Sequence, residues 1–127
     1  MYLLDTDVWI DFALARAPDL IERMEQAGAA ALGMSSITLA ELSVGARFSN
    51  IGDVARLEAV IDLVTVHPFD VRAANIYGDL LRAVGVRRHG FDRLIAAHAI
   101  ALGLTLVTNN ERHFADVPGL RVENWTR

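Results

Sequence analysis

Tyr2-Leu3-Leu4-Asp5-Thr6-Asp7-Val8-Trp9-Ile10 is the stretch on which the reading of the whole chain turns. Three apolar residues cut short by acids and a hydroxyl suit a short strand buried on both faces. The apolar pattern of Val8, Ile10, Phe12 and Ala13 then predicts a helix. Asp7 suits its N-cap, because a carboxylate can accept an orphan N–H of the first turn. A buried strand that runs into a helix opens a βα unit, and the same alternation continues outward from it. Pro18 starts a second helix, with Asp19 and Glu22 early, and Gly28 ends it. Ala30 to Met34 reads as a second buried strand, and Ser35-Ser36 opens a helix to about Phe48. After a turn at Asn50-Ile51-Gly52, residues Val54, Leu57, Val60, Ile61 and Val64 recur at helical spacing.

Thr65-Val66-His67 is a further strand, stopped by Pro68, and Ala73, Ile76, Tyr77, Leu80, Leu81 and Val84 mark a helix ended by Gly85. Asp92 to Leu102 is apolar on nearly all sides, which implies a buried helix, capped by Gly103. Leu104 to Val107 is a strand, followed by the loop Thr108-Asn109-Asn110, a short helix near Glu111 to Ala115 and a last strand near Leu120 to Val122. Strands alternating with helices predict an α/β fold with a parallel sheet covered on both faces. The 127 residues show no linker or repeat, so residues 1–127 are read as one domain.

Composition excludes several chemistries. Hydrophobic residues at 53% and charged residues at 22% describe a globular chain. There is no cysteine, which removes disulfides, a thiol nucleophile and cysteine-based zinc sites. There is no lysine either, since all twelve basic residues are arginine, which removes a Walker A loop and Schiff-base chemistry. The net charge of −4 is uneven: residues 1–64 carry −6 and residues 65–127 carry +2, with basic residues densest at Arg82, Arg87, Arg88 and Arg93. An acidic total argues against an ordinary nucleic-acid binder, but not against an acidic metal pocket with an arginine rim. The first basic residue is Arg16, so no secretory signal is expected. The most membrane-like stretch, Leu94 to Val107, contains His98 and Gly103. It is shorter than the roughly 20 residues that a spanning helix needs. A soluble, cytoplasmic protein is expected.

In a parallel sheet, ligands bind outside the carboxyl ends of the strands. Asp5 and Asn110 each follow a strand and share one edge if those strands are neighbours. Asp5 reads as a metal ligand or as a capping aspartate. Glu41 lies in an apolar helix, where a carboxylate is exposed or partnered. Alternatively, Thr38-x-x-Glu41 fits a capping box with Glu41 turned back on the helix start. Asp92 reads as a metal ligand or a first-turn acid. His67, His89, His98 and His113 show no spacing for a helical zinc pair, and His98 reads as a packed core histidine. Trp9, Phe12 and Tyr77 read as core. Asp5-Thr6-Asp7 also matches the Asp-x-Asp of haloacid-dehalogenase-like phosphatases, but those enzymes use a lysine that this chain lacks.

Taken in order, four segments resemble PIN-domain ribonucleases, specifically VapC-type toxins of toxin–antitoxin pairs. They are Tyr2 to Ile10, Ser35-Ser-Ile-Thr-Leu-Ala-Glu-Leu-Ser-Val-Gly-Ala46, Phe91-Asp-Arg-Leu-Ile-Ala-Ala-His-Ala99, and Leu106-Val-Thr-Asn-Asn110 with the run to Trp125. The resemblance implies a three-layer α/β/α fold with a central, mostly parallel sheet of about five strands. It implies that Asp5, Glu41 and Asp92 form the acidic triad, with Glu41 acting through water, and that Thr6 and Thr108 are supporting hydroxyls. A fourth acid of many PIN domains is here the amide Asn110, which adds no charge and puts a second metal in doubt. Asp7 stands where the family usually has Asn or Ser; it either caps the helix, the preferred reading, or supplements the charge.

Oxygen-only ligands select Mg²⁺ or Mn²⁺, with one site expected. The implied activity is in-line hydrolysis of RNA to a 5′-phosphate and a 3′-hydroxyl, and Arg87, Arg88, Arg93 and Arg112 are expected to hold RNA phosphates. A VapB-like antitoxin that inserts an arginine or a helix, and a homodimer, are the implied partners. The competing reading is a non-catalytic PIN module that binds RNA or a protein.

Overall fold

The computed structural model describes residues 1–45, 48 and 50–126. The strands are β1 (Tyr2–Leu4), β2 (Leu32–Ser35), β3 (Thr65–His67), β4 (Thr105–Val107) and β5 (Val122–Glu123). The helices are α1 (Thr6–Ala13), α2 (Pro18–Ala27), α3 (Ser36–Ser43), α4 (Ile51–Ile61), α5 (Val71–Val84) and α6 (Phe91–Leu102), with 3₁₀ turns at Ala29–Ala31, Val86–Arg88 and Glu111–Phe114. The strands form one sheet in the order β3-β2-β1-β4-β5. Every pairing is parallel, with Leu3 opposite Gly33 on one side and Leu106 on the other. The expected five-stranded parallel sheet is therefore present.

Alternation along the strands divides the core in two. Leu4 and Val107 face Val8, Trp9, Leu20, Met24 and Leu57 of α1, α2 and α4. Leu3 and Leu106 face Leu80, Ile95, Ala96 and Ala99 of α5 and α6. This is the three-layer α/β/α arrangement. The chain runs outward from β1 through β2 to β3, then returns to place β4 on the other side of β1. The strand order thus reverses at β1/β4, and a crevice opens beyond their carboxyl ends, where open α/β sheets bind ligands.

Several boundaries differ from the sequence reading. Residues Ala29–Ala31 wind into a 3₁₀ turn, so β2 begins at Leu32 rather than Ala30. β5 pairs at Val122–Glu123, because β4 offers Leu106 and Val107 as its partners. α3 stops at Ser43, short of Phe48: Gly45 takes φ +70°, a left-handed conformation that interrupts a helix. Residue Ala46, the end of the second motif, lies outside the described residues. Asn50 caps α4 rather than making a free turn, its Oδ1 accepting from the Asp53 N–H at 2.9 Å. Among the described residues no helix is long and apolar enough to cross a membrane.

Candidate active site

Asp5 stands where β1 gives way to α1. Its N–H donates to the Val107 carbonyl at 2.9 Å, which carries the β1/β4 pairing one residue past the strands. The backbone is still extended there (φ −65°, ψ 159°), so the side chain folds over the start of α1 and Oδ1 accepts from the Thr6 N–H at 2.7 Å. Asp5 is therefore the N-cap of α1. The expectation that Asp7 caps this helix is corrected: Asp7 lies inside the first turn, and its Oδ2 accepts from the Asn110 side chain at 2.8 Å.

The Thr108 hydroxyl accepts from the Asn110 N–H at 3.0 Å and donates to Asp5 Oδ2 at 2.9 Å. Both carboxylate oxygens of Asp5 are thus engaged on a residue only 3% exposed. Its carboxyl is nevertheless pushed up to about 7. Burial is the largest cause, the Thr108 hydrogen bond opposes it, the charge of Asp92 adds to it, the Thr6 N–H opposes it, and Asp7 adds again. A buried carboxylate that repels two acidic neighbours has the electrostatics of a cation site in the absence of its cation.

Glu41 reaches the same place from α3. The capping-box reading is corrected, because the N-cap of α3 is Ser35, whose Oγ accepts from the Ile37 N–H, and Thr38 is a buried residue within the helix. The Thr6 Oγ1 lies 2.7 Å from Glu41 Oε1 and 3.0 Å from Thr38 Oγ1. A hydroxyl has one proton, so Thr6 gives it to the carboxylate and accepts from Thr38. Asp92 lies in the first turn of α6, which Gly90 caps without a side chain. Its carboxylate is half-exposed, with Oδ2 3.1 Å from His113 Nδ1. Among the described residues no three Asp, Glu or His side chains form a ready-made metal cage. All the acids here offer oxygen donors only: the charges of Asp5 and Asp92 act on one another, and Glu41 is engaged by Thr6.

Two clefts flank these acids. One, of about 330 Å³, is lined by Asp7 and Glu41 together with Ile10, Leu42, Phe48 and Phe91. The other, of about 320 Å³, is lined by Arg88, Asp92, Arg93, Arg112 and His113.

With that geometry in view, comparison with known proteins is specific. The sequence pattern of the PIN domain matches residues 2–120. The chain belongs to the PIN-domain family. Its relatives place it with the VapC-type ribonucleases. It is 35% identical to the tRNA(fMet)-specific endonuclease VapC of Salmonella typhimurium, covering 98% of this chain and 97% of that one. It is 33% identical to Ribonuclease VapC2 of Rickettsia felis, covering 100% and 99%. The solved VapBC2 of Rickettsia felis bound to a promoter DNA fragment superimposes with a TM-score of 0.85 at 29% identity, over 98% of each chain. DNA-bound VapBC from Salmonella typhimurium gives a TM-score of 0.84 at 35% identity, over 98% of this chain and 97% of that chain.

The PIN fold gathers Asp5, Thr6, Asp7, Thr108 and Asn110 at one sheet edge, with Glu41 hydrogen-bonded to Thr6. It divides the arginines. Arg87 and Arg112 are exposed. Arg88 is half-exposed and pairs with Asp116 at 2.8 Å. Arg93 is 6% exposed, donating to the His113 carbonyl at 2.6 Å and pairing with Asp116 at 3.0 Å. Its expected contact with RNA phosphate is corrected, since a guanidinium so buried and so engaged is a structural tie. His98 is packed in the core as expected. Sequence reasoning gave Thr38 a capping role instead of its contact with Thr6, and missed His113 as the partner of Asp92. The Thr38 contact could have been found from its position one turn before Glu41 on the same helix face, whereas no local signal brings His113 to Asp92.

Proposed function

We propose that this VapC-type chain is a divalent-metal-dependent endoribonuclease and the toxin of a toxin–antitoxin pair. The observation that carries the reading is Asp5, a buried carboxylate at the β1/β4 switch point facing Asp92 and Asp7. Asp5 and Asp92 would hold one Mg²⁺ or Mn²⁺ directly and Glu41 through water. The ion would supply charge to the scissile phosphate and acidify a water.

The chain's own residues do the rest. Thr108 and the Thr6 N–H orient Asp5, and the Thr6 hydroxyl aims Glu41. One of these carboxylates takes the proton of the attacking water. The water oxygen bonds to phosphorus, the bond to the 3′ oxygen breaks, and that oxygen takes a proton from solvent while the carboxylate returns its own to solvent. The products are a 5′-phosphate and a 3′-hydroxyl. Arg112 and Arg87, with Arg88 in part, would hold flanking phosphates, and Asn110 would keep Asp7 in place rather than ligate a second ion. The apolar cleft beside Glu41 and Asp7 suits a VapB-like antitoxin that lays apolar side chains along Phe48 and Phe91 and presents an arginine to the acids.

The test is end-mapped cleavage of structured RNA with Mn²⁺, Mg²⁺ or EDTA, with Asp92→Asn alongside. Initiator tRNA is the first substrate to try, since the Salmonella relative is named for it. Metal-dependent cuts with 5′-phosphate ends, absent from a folded Asp92→Asn protein, are expected. RNA binding that persists in EDTA without cleavage would favour the non-catalytic module.

A further inference from the structure

The two helices that carry Glu41 and Asp92 also meet away from the acids. His98 Nδ1 lies 2.8 Å from Ser35 Oγ, and both residues are buried, at 1% and 0% exposure. Ser35 ends β2 and caps α3; His98 is midway along α6. The spacing is matched on the two sides: Ser35 precedes Glu41 by six residues, and His98 follows Asp92 by six. Six residues are about 9 Å of helix. Glu41 and Phe91, the neighbour of Asp92, line one cleft. α3 and α6 therefore run past each other in opposite senses, tied at one end by Ser35 and His98 and bearing the carboxylates at the other.

The imidazole is confined for this role. Phe69 stands edge-on at 5.3 Å and His67 at 6.3 Å. Burial and His67 lower the ring's proton affinity, against Asp70 and the Pro68 carbonyl, so the ring is neutral and Nδ1 can accept the Ser35 proton. Ser35 Oγ still accepts from the Ile37 N–H at 3.1 Å. One hydroxyl thus joins the end of a central strand, the first turn of α3 and the middle of α6.

We propose that His98 is a positioning residue, whose hydrogen bond to Ser35 sets the separation of α3 and α6 and with it the placement of Glu41 relative to Asp92. The inference rests on the metal-nuclease reading, because the carboxylates it places are the ones proposed to hold the ion. A tie of this kind matters because metal sites tolerate little displacement; partners in direct contact with ligands are commonly worth about tenfold to a hundredfold in affinity, and a tie one step further back acts at the lower end of that range.

The experiment is calorimetric Mn²⁺ binding to the folded full chain, with unfolding followed in parallel. The variants are His98→Leu, His98→Asn, Ser35→Ala and the double variant Ser35→Ala with His98→Leu, beside Asp92→Asn. Asparagine can place an amide nitrogen or oxygen near the position of Nδ1. About tenfold weaker Mn²⁺ binding is expected for His98→Leu and Ser35→Ala, no further loss in the double variant, and recovery of most of the affinity in His98→Asn. Should His98→Leu not fold, Ser35→Ala and His98→Asn still decide the matter. Unchanged Mn²⁺ affinity in the folded variants, with stability alone reduced, overturns this inference and leaves the nuclease reading standing. Absence of Asp92-dependent Mn²⁺ binding in the unsubstituted chain overturns both.

Discussion

Replacing Asp5 by asparagine should abolish cleavage and yet stabilise the metal-free protein. The Asp5 carboxyl titrates at about 7 in the fold against an ordinary value of 3.8. An acid whose folded pKa is raised holds a proton in the folded state that the unfolded state has released. Its contribution is most favourable below pH 4 and is lost as pH rises from about 4 to about 7. At roughly 1.4 kcal/mol for each tenfold change in proton affinity, the ionised form costs the metal-free fold on the order of 4 kcal/mol above pH 7. Asparagine avoids that cost, but its amide nitrogen cannot accept, so it gives up one of the two hydrogen bonds that Asp5 takes from the Thr6 N–H and the Thr108 hydroxyl. That loss offsets roughly 2 kcal/mol. A net gain of about 2 kcal/mol follows, a rise in Tm of roughly 8 °C for a domain of this size.

The assay is thermal unfolding in EDTA from pH 4 to pH 8. The variant's advantage should be full at pH 8, narrow below pH 7 and reverse to a deficit of about 2 kcal/mol near pH 4, where wild-type Asp5 is protonated and its cost is gone. Saturating Mn²⁺ should reverse the order, because an ion that binds only the wild-type fold at a hundred times its Kd adds about 2.7 kcal/mol. A variant less stable than wild type at pH 8 in EDTA, or a gap that does not vary with pH, would refute the account of Asp5.

Three further outcomes follow from the contacts. Thr6→Val removes the proton donor to Glu41 while keeping the side-chain shape; RNA cleavage should fall roughly tenfold to a hundredfold, and wild-type kinetics would show that Thr6 does not aim Glu41. Trp125 is 2% exposed, with Tyr2 edge-on at 4.8 Å, the Arg23 guanidinium over its ring and its N–H on Glu123. Trp125→Ala should cost about 3–5 kcal/mol in urea unfolding, and a loss under 1 kcal/mol would contradict the anchoring of the C-terminal segment. The arginines should separate in RNA binding: Arg87→Gln with Arg112→Gln flattens the dependence of log K on log salt, whereas Arg93→Gln lowers stability and leaves the slope unchanged in the folded fraction.

Much of the fold is legible because its signals are local. A buried strand only three residues long still reads as Tyr2–Leu4, since both faces demand apolar side chains and Asp5 ends the run. The α6 helix shows itself by being apolar on nearly every side. The errors fall where two local explanations compete. Asp7 and Asp5 are both capping residues by type, and only the extended backbone of Asp5 at the β1 exit settles which one folds over the first turn. Thr38-x-x-Glu41 satisfies the capping-box pattern, yet the helix is capped three residues before Thr38, at Ser35, and Glu41 is turned to Thr6 instead. Arg93 looks like any other member of a basic cluster until Asp116 and the His113 carbonyl, from a distant loop, enclose it.

The amino-acid sequence by itself determined the alternation of strands and helices, the exclusion of lysine and thiol chemistry, and the acids that follow strands or open helices. Those properties belong to neighbouring residues and to periodicity. The tertiary structure alone decided the strand order that sets β4 beside β1, the Thr6–Glu41 and Asp5–Thr108 hydrogen bonds across 35 and 103 residues, and the Ser35–His98 tie. Such partners are chosen by how the sheet closes on itself, and no property of a residue's own segment carries that information.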